Sequence, residues 1–286
     1  MKYIDLHVHS NASDGSLTPS EVVDRAVSQA LSAIALTDHD TLQGVAEAKE
    51  RAAWLTKHGT PIEVCAGVEI SAGYRSRDIH ILGLLVDEND AALNAALEAA
   101  RDNRERRNAR ILERFAGLGI RLTMEELRED APDTVITRAH FARCLMKKGI
   151  VETPAEAFAR FLNPEAPCYV PREYLSPEQA IGLIRRAGGI PVLAHPLIYG
   201  LPREELLELL ERLKKAGLAG LEVLYSANRG DDEATLRGLA AHFSLLMTGG
   251  SDFHGEVKPT IEIGIGKGNL RIPYSILERL RSVKEE

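Results

Sequence analysis

Cysteine, aromatic residues and long apolar runs are all scarce in this chain, and each scarcity excludes a class of protein. Its three cysteines, Cys65, Cys144 and Cys168, are too few and too scattered for a disulfide framework or a paired-thiolate zinc site. Aromatics make up only 5% of the 286 residues, which argues against a surface of stacked rings for long single strands. No window of about 18 residues is free of charge, so no membrane-spanning helix is expected. The N-terminus, MKYIDLHVHS, lacks the basic-then-apolar architecture of a signal peptide and reads as a strand. The expectation is a cytoplasmic protein in a reducing compartment, away from membranes. What is plentiful is aliphatic: 44% of residues are hydrophobic, which excludes disorder and suffices for a sizeable core. With 35 Lys+Arg against 42 Asp+Glu the net charge is −7, a balance that disfavours extended nucleic acid as the main partner.

Short aliphatic runs alternate with helical patterns. Strands are predicted at 3–8, 33–37, 62–70, 79–86, 190–194, 220–224 and 244–248, mostly as continuous apolar runs of the kind buried on both faces. Between them Thr18-Pro19-Ser20-Glu21 and Ser176-Pro177-Glu178-Gln179 each combine a capping box with proline at the first helical position, and Thr153-Pro154-Ala155-Glu156 repeats the arrangement. Seven strands with intervening helices predict an α/β barrel. The alternation breaks across 99–173, where only helices are predicted, including the end of a long one at 89–115. This stretch carries 14 Lys+Arg against 12 Asp+Glu, a net +2, and leaves −9 on the remainder. The simplest organisation is a barrel of 1–98 and 174–286 with an all-helical insert, 99–173, covering the active site.

Six of the nine histidines fall into a pattern at strand ends. Strand one ends in Asp5-Leu6-His7-Val8-His9, followed by Ser13-Asp14-Gly15, and strand two ends in Thr37-Asp38-His39-Asp40. Strand three ends in Gly67-Val68-Glu69, and His80 opens the next. Ala194-His195-Pro196 and Gly250-Ser251-Asp252-Phe253-His254 close strands five and seven. In His-x-His on a strand, both imidazoles project to one face, and Asp252 and His254 repeat that spacing. Residues at the C-terminal ends of barrel strands meet at one mouth, and His80 joins them if the chain turns back as a hairpin after Glu69. Imidazole with carboxylate suits divalent ions such as Zn²⁺, Mn²⁺ and Fe²⁺. A lone histidine is usually a surface or core residue, and His58 and His242 are read that way.

Taken together, DLHVHSNASDGSLTP, LTDHDT, GVEIS with HILG, AHP and GGSDFH resemble the motifs of the PHP domain, named for polymerase and histidinol phosphatase and related to the amidohydrolases. The resemblance covers about 1–98 and 174–286 and implies a distorted (βα)7 TIM-like barrel holding up to three divalent metals. It places His7, His9, Glu69 and Asp252 on a first metal. Glu69 bridges to a second, shared with His80 and His195, and Asp14, His39 and His254 hold a third. Mn²⁺ is the first expectation, with Fe²⁺ and Zn²⁺ as alternatives. Three carboxylates against three divalent ions leave about +3 at the site, a charge that selects a phosphoryl group. Adjacent metals also lower the pKa of a shared water and hold a phosphate across them, so that the hydroxide attacks phosphorus in line.

In the insert, Arg104 and Arg107 lie three residues apart on one helical face, and a later helix begins Thr137-Arg138-Ala139-His140. Arginine grips phosphate with paired hydrogen bonds, although Asp102 and Glu105 could pair with these arginines on a solvated helix instead. A helical insert at this point resembles the family subgroup that hydrolyses 3′,5′-nucleoside bisphosphates, whose relatives trim RNA or oligonucleotides from the 5′ end. Arg104, Arg107, Thr137, Arg138 and His140 are therefore expected to hold a second phosphate. The expected activity is removal of the 3′-phosphate from a nucleotide such as 3′-phosphoadenosine 5′-phosphate, giving AMP and phosphate. Its rivals are a 5′→3′ exonuclease on short RNA or DNA, a histidinol-phosphate phosphatase and a non-catalytic scaffold. A small phosphorylated nucleotide is the expected partner, and no obligatory protein partner is inferred.

Overall fold

The computed structural model describes residues 2–75, 77–128, 136–171, 173 and 175–285. Its centre is an eight-stranded sheet built from β1 (Tyr3–Val8), β2 (Leu31–Leu36), β3 (Glu63–Tyr74), β4 (Arg77–Leu84), β5 (Ile190–Leu193), β6 (Gly220–Tyr225), β7 (Leu246–Gly250) and β8 (Ile272–Pro273), in the order β7-β6-β5-β4-β3-β2-β1-β8. Neighbours among β1, β2 and β3 are parallel, as are those among β5, β6 and β7, while β4 runs antiparallel to both β3 and β5. The chain after β7 returns to β1: His9 N–H donates to Phe253 O at 3.0 Å and Asp252 N–H to His7 O at 2.9 Å. The sheet is thus a nearly closed barrel, as expected. Gly250 permits the closure, because a Cβ there would collide with the His7 side chain.

Helices α1 (Pro19–Ser28) and α2 (Gln43–Lys57) cover the first strands, and α3 (Ala91–Gly117) follows β4. Then come α4 (Met124–Arg128), α5 (Arg138–Lys147), α6 (Pro154–Ala157) and a π-helical turn, Phe158–Leu162. Helices α7 (Pro177–Arg186), α8 (Arg203–Ala216), α9 (Asp232–His242) and α10 (Ser275–Glu285) complete the barrel's outer layer. The capping boxes of Thr18 and Ser176 form with both bonds in place. Thr153 caps only one way: its hydroxyl accepts from Glu156 N–H, but the Glu156 carboxylate turns to Glu152 N–H instead. The seventh strand begins two residues later than the sequence pattern suggests, because Ser244 takes φ 50° and breaks the extended run. Strand β8, of two residues, is too short to leave a periodic signal.

The apolar core follows the same division. Leu93 and Leu97 from the start of α3 pack with Ile181, Ile184 and the inner strands. Ile111 and Phe115 from its end join Leu127, Phe141, Leu145, Leu162 and Val170 in a cluster drawn wholly from residues 111–170. Helix α3 therefore passes unbroken through 98/99 and is shared by two cores. Phe115 and Phe141 are fully buried there, each contributing about 1.5–3 kcal/mol of transfer free energy. Among the described residues no helix is long and apolar enough to cross a membrane.

Candidate active site

All nine expected ligands converge at the mouth formed by the C-terminal ends of the parallel strands. His7 on β1 and His9 just beyond it are fully buried. Because they alternate with Val8, both rings face the barrel interior, with Nε2 atoms 3.1 Å apart. Glu69 on β3 is the hub. Its Oε2 lies 3.4 Å from His7 Nε2, 3.3 Å from His9 Nε2 and 3.1 Å from His39 Nδ1. Its Oε1 lies 2.9 Å from both His80 Nδ1 and His195 Nε2. The hairpin after β3 sets Ser71 opposite His80 and so brings this histidine to the rim, as expected. Asp14 faces His254 at 3.2 Å and both His9 and His39 at 3.8 Å, and Asp252 Oδ1 faces His9 at 3.5 Å and His254 at 3.4 Å. The donor atoms group as His9–Asp14–His39–His254, His7–His9–Glu69 and His39–Glu69–His80, each set within 4.8 Å. His9 and His39 thus each sit in two groups, a sharing that the spacing in sequence did not suggest. His58 and His242 are exposed and remote.

Around this cluster lies a ring of residues that sequence reasoning missed. Glu222, fully buried on β6, meets His7 Nδ1 at 2.9 Å and accepts from His195 N–H at 2.8 Å. The signal was a carboxylate inside an otherwise apolar strand, GLEVLY. Tyr225 O–H and Lys258 Nζ both donate to Asp252 Oδ2, at 2.8 and 2.6 Å, leaving Oδ1 for the histidines. Asp5 bonds the backbone N–H groups of His7, Ser251 and Gly264, and burial pushes its carboxyl up to about 6. Asp40, His195 and Asp252 take φ values of 53°, 28° and 59°. Side chains rarely adopt this region, at about 1–3 kcal/mol each, and here they do so beside the cluster.

A cavity of about 170 Å³ opens above it, lined by Asp14, His39 and His80 on one side and by Arg104, Arg107, Thr137, Arg138 and Phe158 on the other. The structure thus brings four of the five expected substrate residues to one wall. Arg104 differs from expectation in its partner. It bonds Asp40 Oδ2 at 2.6 Å and Ser71 Oγ at 3.2 Å, whereas Glu105 pairs with Arg128. Arg107 Nε donates to Val170 O at 2.8 Å, and Arg138 stands 4.0 Å from Asp78 and over the Phe158 ring. His140 does not line the cavity. It is buried one turn behind, where its Nδ1 accepts from Thr137 N–H at 3.0 Å and so closes the cap of α5.

The PHP domain model matches residues 5–151. The chain belongs to the PHP domain family. A 3′,5′-nucleoside bisphosphate phosphatase of Chromobacterium violaceum is 37% identical over 92% of this chain and 91% of its own length. A 5′-3′ exoribonuclease of Haemophilus influenzae is 36% identical over 88% of this chain and 90% of its own. Among solved structures, an amidohydrolase from Chromobacterium violaceum with bound sulfate superposes with a TM-score of 0.85 at 35% identity, covering 98% of this chain and 96% of that one.

The donor set of this PHP domain is capable of binding divalent metal ions, and its protonation agrees. Burial and the neighbouring His254 hold His9 well below the usual imidazole range. Against burial, His39 and His254 keep Asp14 ionised, His80 and His39 do so for Glu69, and Lys258 and His254 for Asp252. His7 and His80 go the other way: against burial, Glu222 and Glu69 raise His7, and Glu69 raises His80 to about 9. Both rises come from carboxylates facing the rings, and a cation seated among them takes the place of that proton. His195 is held instead through Nε2, on Glu69, and through its backbone N–H, on Glu222, while its Nδ1 is buried without a hydrogen-bond partner.

Proposed function

We propose that this chain is a metal-dependent phosphatase that removes the 3′-phosphate of 3′,5′-nucleoside bisphosphates, releasing a nucleoside 5′-monophosphate and phosphate. The observation that carries this reading is the two-sided cavity, in which imidazoles and carboxylates face a wall of three arginines. Divalent ions, with Mn²⁺ the first choice and Fe²⁺ or Zn²⁺ the alternatives, supply an activated water and positive charge at the reacting phosphorus. His7, His9, Asp14, His39, Glu69, His80, His195, Asp252 and His254 would hold them. The chain's own part is to orient the ester. Arg107 and Arg138 grip the second phosphate, Thr137 adds a hydroxyl, and Arg104 lines the same wall, braced through Asp40. His140 acts behind Thr137 by holding its backbone. Residues 99–173 serve as an insert that roofs the site, a division supported by their separate apolar cluster.

The second reading, a 5′→3′ exonuclease on short RNA or DNA, is favoured by the exoribonuclease relative and uses the same walls. Phosphate release from 3′-phosphoadenosine 5′-phosphate, measured with Mn²⁺ beside a 5′-phosphorylated trinucleotide and histidinol phosphate, separates them. Fastest turnover of the bisphosphate supports the phosphatase. Faster cleavage of the trinucleotide makes the nuclease primary. Inert substrates with metal bound would sink both.

A further inference from the structure

Strand β6 points Glu222 into the barrel between the buried neighbours Leu221 and Val223. Each of its oxygens has a separate donor. Oε1 takes His7 Nδ1 at 2.9 Å, on β1, and Oε2 takes the backbone N–H of His195 at 2.8 Å, just past β5. Strands β1 and β5 are not neighbours in the sheet, so one carboxylate ties two distant walls of the barrel together across its interior.

The consequences are chemical. An ionised carboxylate only accepts, so the His7 nitrogen facing it must carry hydrogen. The lone pair of His7 then resides on Nε2, the atom aimed at Glu69 Oε2 (3.4 Å), Asp252 Oδ1 (3.7 Å) and His9 Nε2 (3.1 Å). At His195 the backbone has φ 28°, and the bond from its N–H holds that turn so that Nε2 reaches Glu69 Oε1 at 2.9 Å. We propose that Glu222 is the positioning residue of the metal site, setting the tautomer of His7 and the backbone of His195 so that both rings present Nε2 to the ions around Glu69. The proposal rests on reading the cluster as a metal site.

Glu222→Gln keeps the shape but exchanges one acceptor for an NH₂ donor. Both partners are donors, so the amide either opposes the His195 N–H or drives His7 to the tautomer with hydrogen on Nε2. The test loads the full-length protein with Mn²⁺ and titrates it with a chelator, counting retained metal. Glu222→Gln is expected to keep the wild-type circular dichroism and to bind Mn²⁺ about 10–100-fold more weakly. A folded variant that retains Mn²⁺ like wild type overturns the proposal and leaves the metal reading standing. A wild-type protein that retains none overturns both. A second measurement needs no variant: ring ¹⁵N–¹H correlations of wild type loaded with diamagnetic Zn²⁺. His7 is expected to show hydrogen on Nδ1, and hydrogen on Nε2 overturns the proposal even if Glu222→Gln fails to fold.

Discussion

On the barrel side of the cavity, the imidazoles and carboxylates sit on strands or in the turns that follow them; five histidines meet at Glu69, and His254 joins Asp14 to Asp252. On the other side, the arginines come from α3 and the first turn of α5 and reach distant parts of the chain: Asp40 and Ser71 for Arg104, Val170 for Arg107, and Asp78 and Leu162 for Arg138. The barrel side is a mutually supporting network in which every group is buried or half-buried. The arginine side is anchored at scattered points of the chain, with Arg104 and Arg107 buried and Arg138 half-buried. The difference teaches that the two walls should respond differently to substitution, jointly on one side and singly on the other.

The largest effect is expected at the hub. Glu69→Gln removes a partner common to five histidines and should lower phosphate release by about 10³-fold or more with loss of bound metal. Retention of full metal content would break the picture of a network centred on this residue. Next comes the buried pair of the other wall. Asp40→Ala removes the carboxylate facing the Arg104 guanidinium, which is 6% exposed. It should cost about 3–5 kcal/mol of stability in urea melts, whereas loss of the longer, less buried Arg138–Asp78 pair should cost under about 1 kcal/mol. Equal costs would erase the distinction between bracing and gripping arginines.

Arg138→Ala should instead show in kinetics. A drop of about 10–100-fold in kcat/KM for the bisphosphate, corresponding to a charge-assisted contact of roughly 1.5–3 kcal/mol, is expected. Turnover of p-nitrophenyl phosphate, which has no second phosphate, should change less than about threefold on the same scale. Parallel losses on both substrates would move Arg138 from the second phosphate to the reacting one. The smallest contrast lies between two caps. Thr18→Ala on α1 and Thr137→Ala on α5 should each cost about 1 kcal/mol of stability, but only the second should weaken bisphosphate turnover.

The identity of the ligand cluster was legible because strand alternation and strand ends are local properties. His7-Val8-His9 must place both rings on one face, whatever the rest of the chain does. Helix starts were legible for the same reason, since a cap is satisfied within four residues. The arginine wall was half legible. The spacing of Arg104 and Arg107 set their shared face, but local carboxylates looked like their partners, and the chain instead supplied Asp40 from 64 positions away. The late start of β7 turned on the left-handed backbone of Ser244, which no residue pattern announces.

By itself, then, the sequence determined the alternating α/β order, the chemical kinds of the donors and the faces on which they stand. These follow from backbone periodicity and capping, whose range is a few residues. Only the tertiary structure decided which donors share an atom's reach, that Glu222 stands behind His7 across 215 positions, and that Tyr225 and Lys258 hold Asp252. A buried charge needs a partner but accepts one from anywhere the closed barrel brings near, so its choice is made by packing and not by spacing.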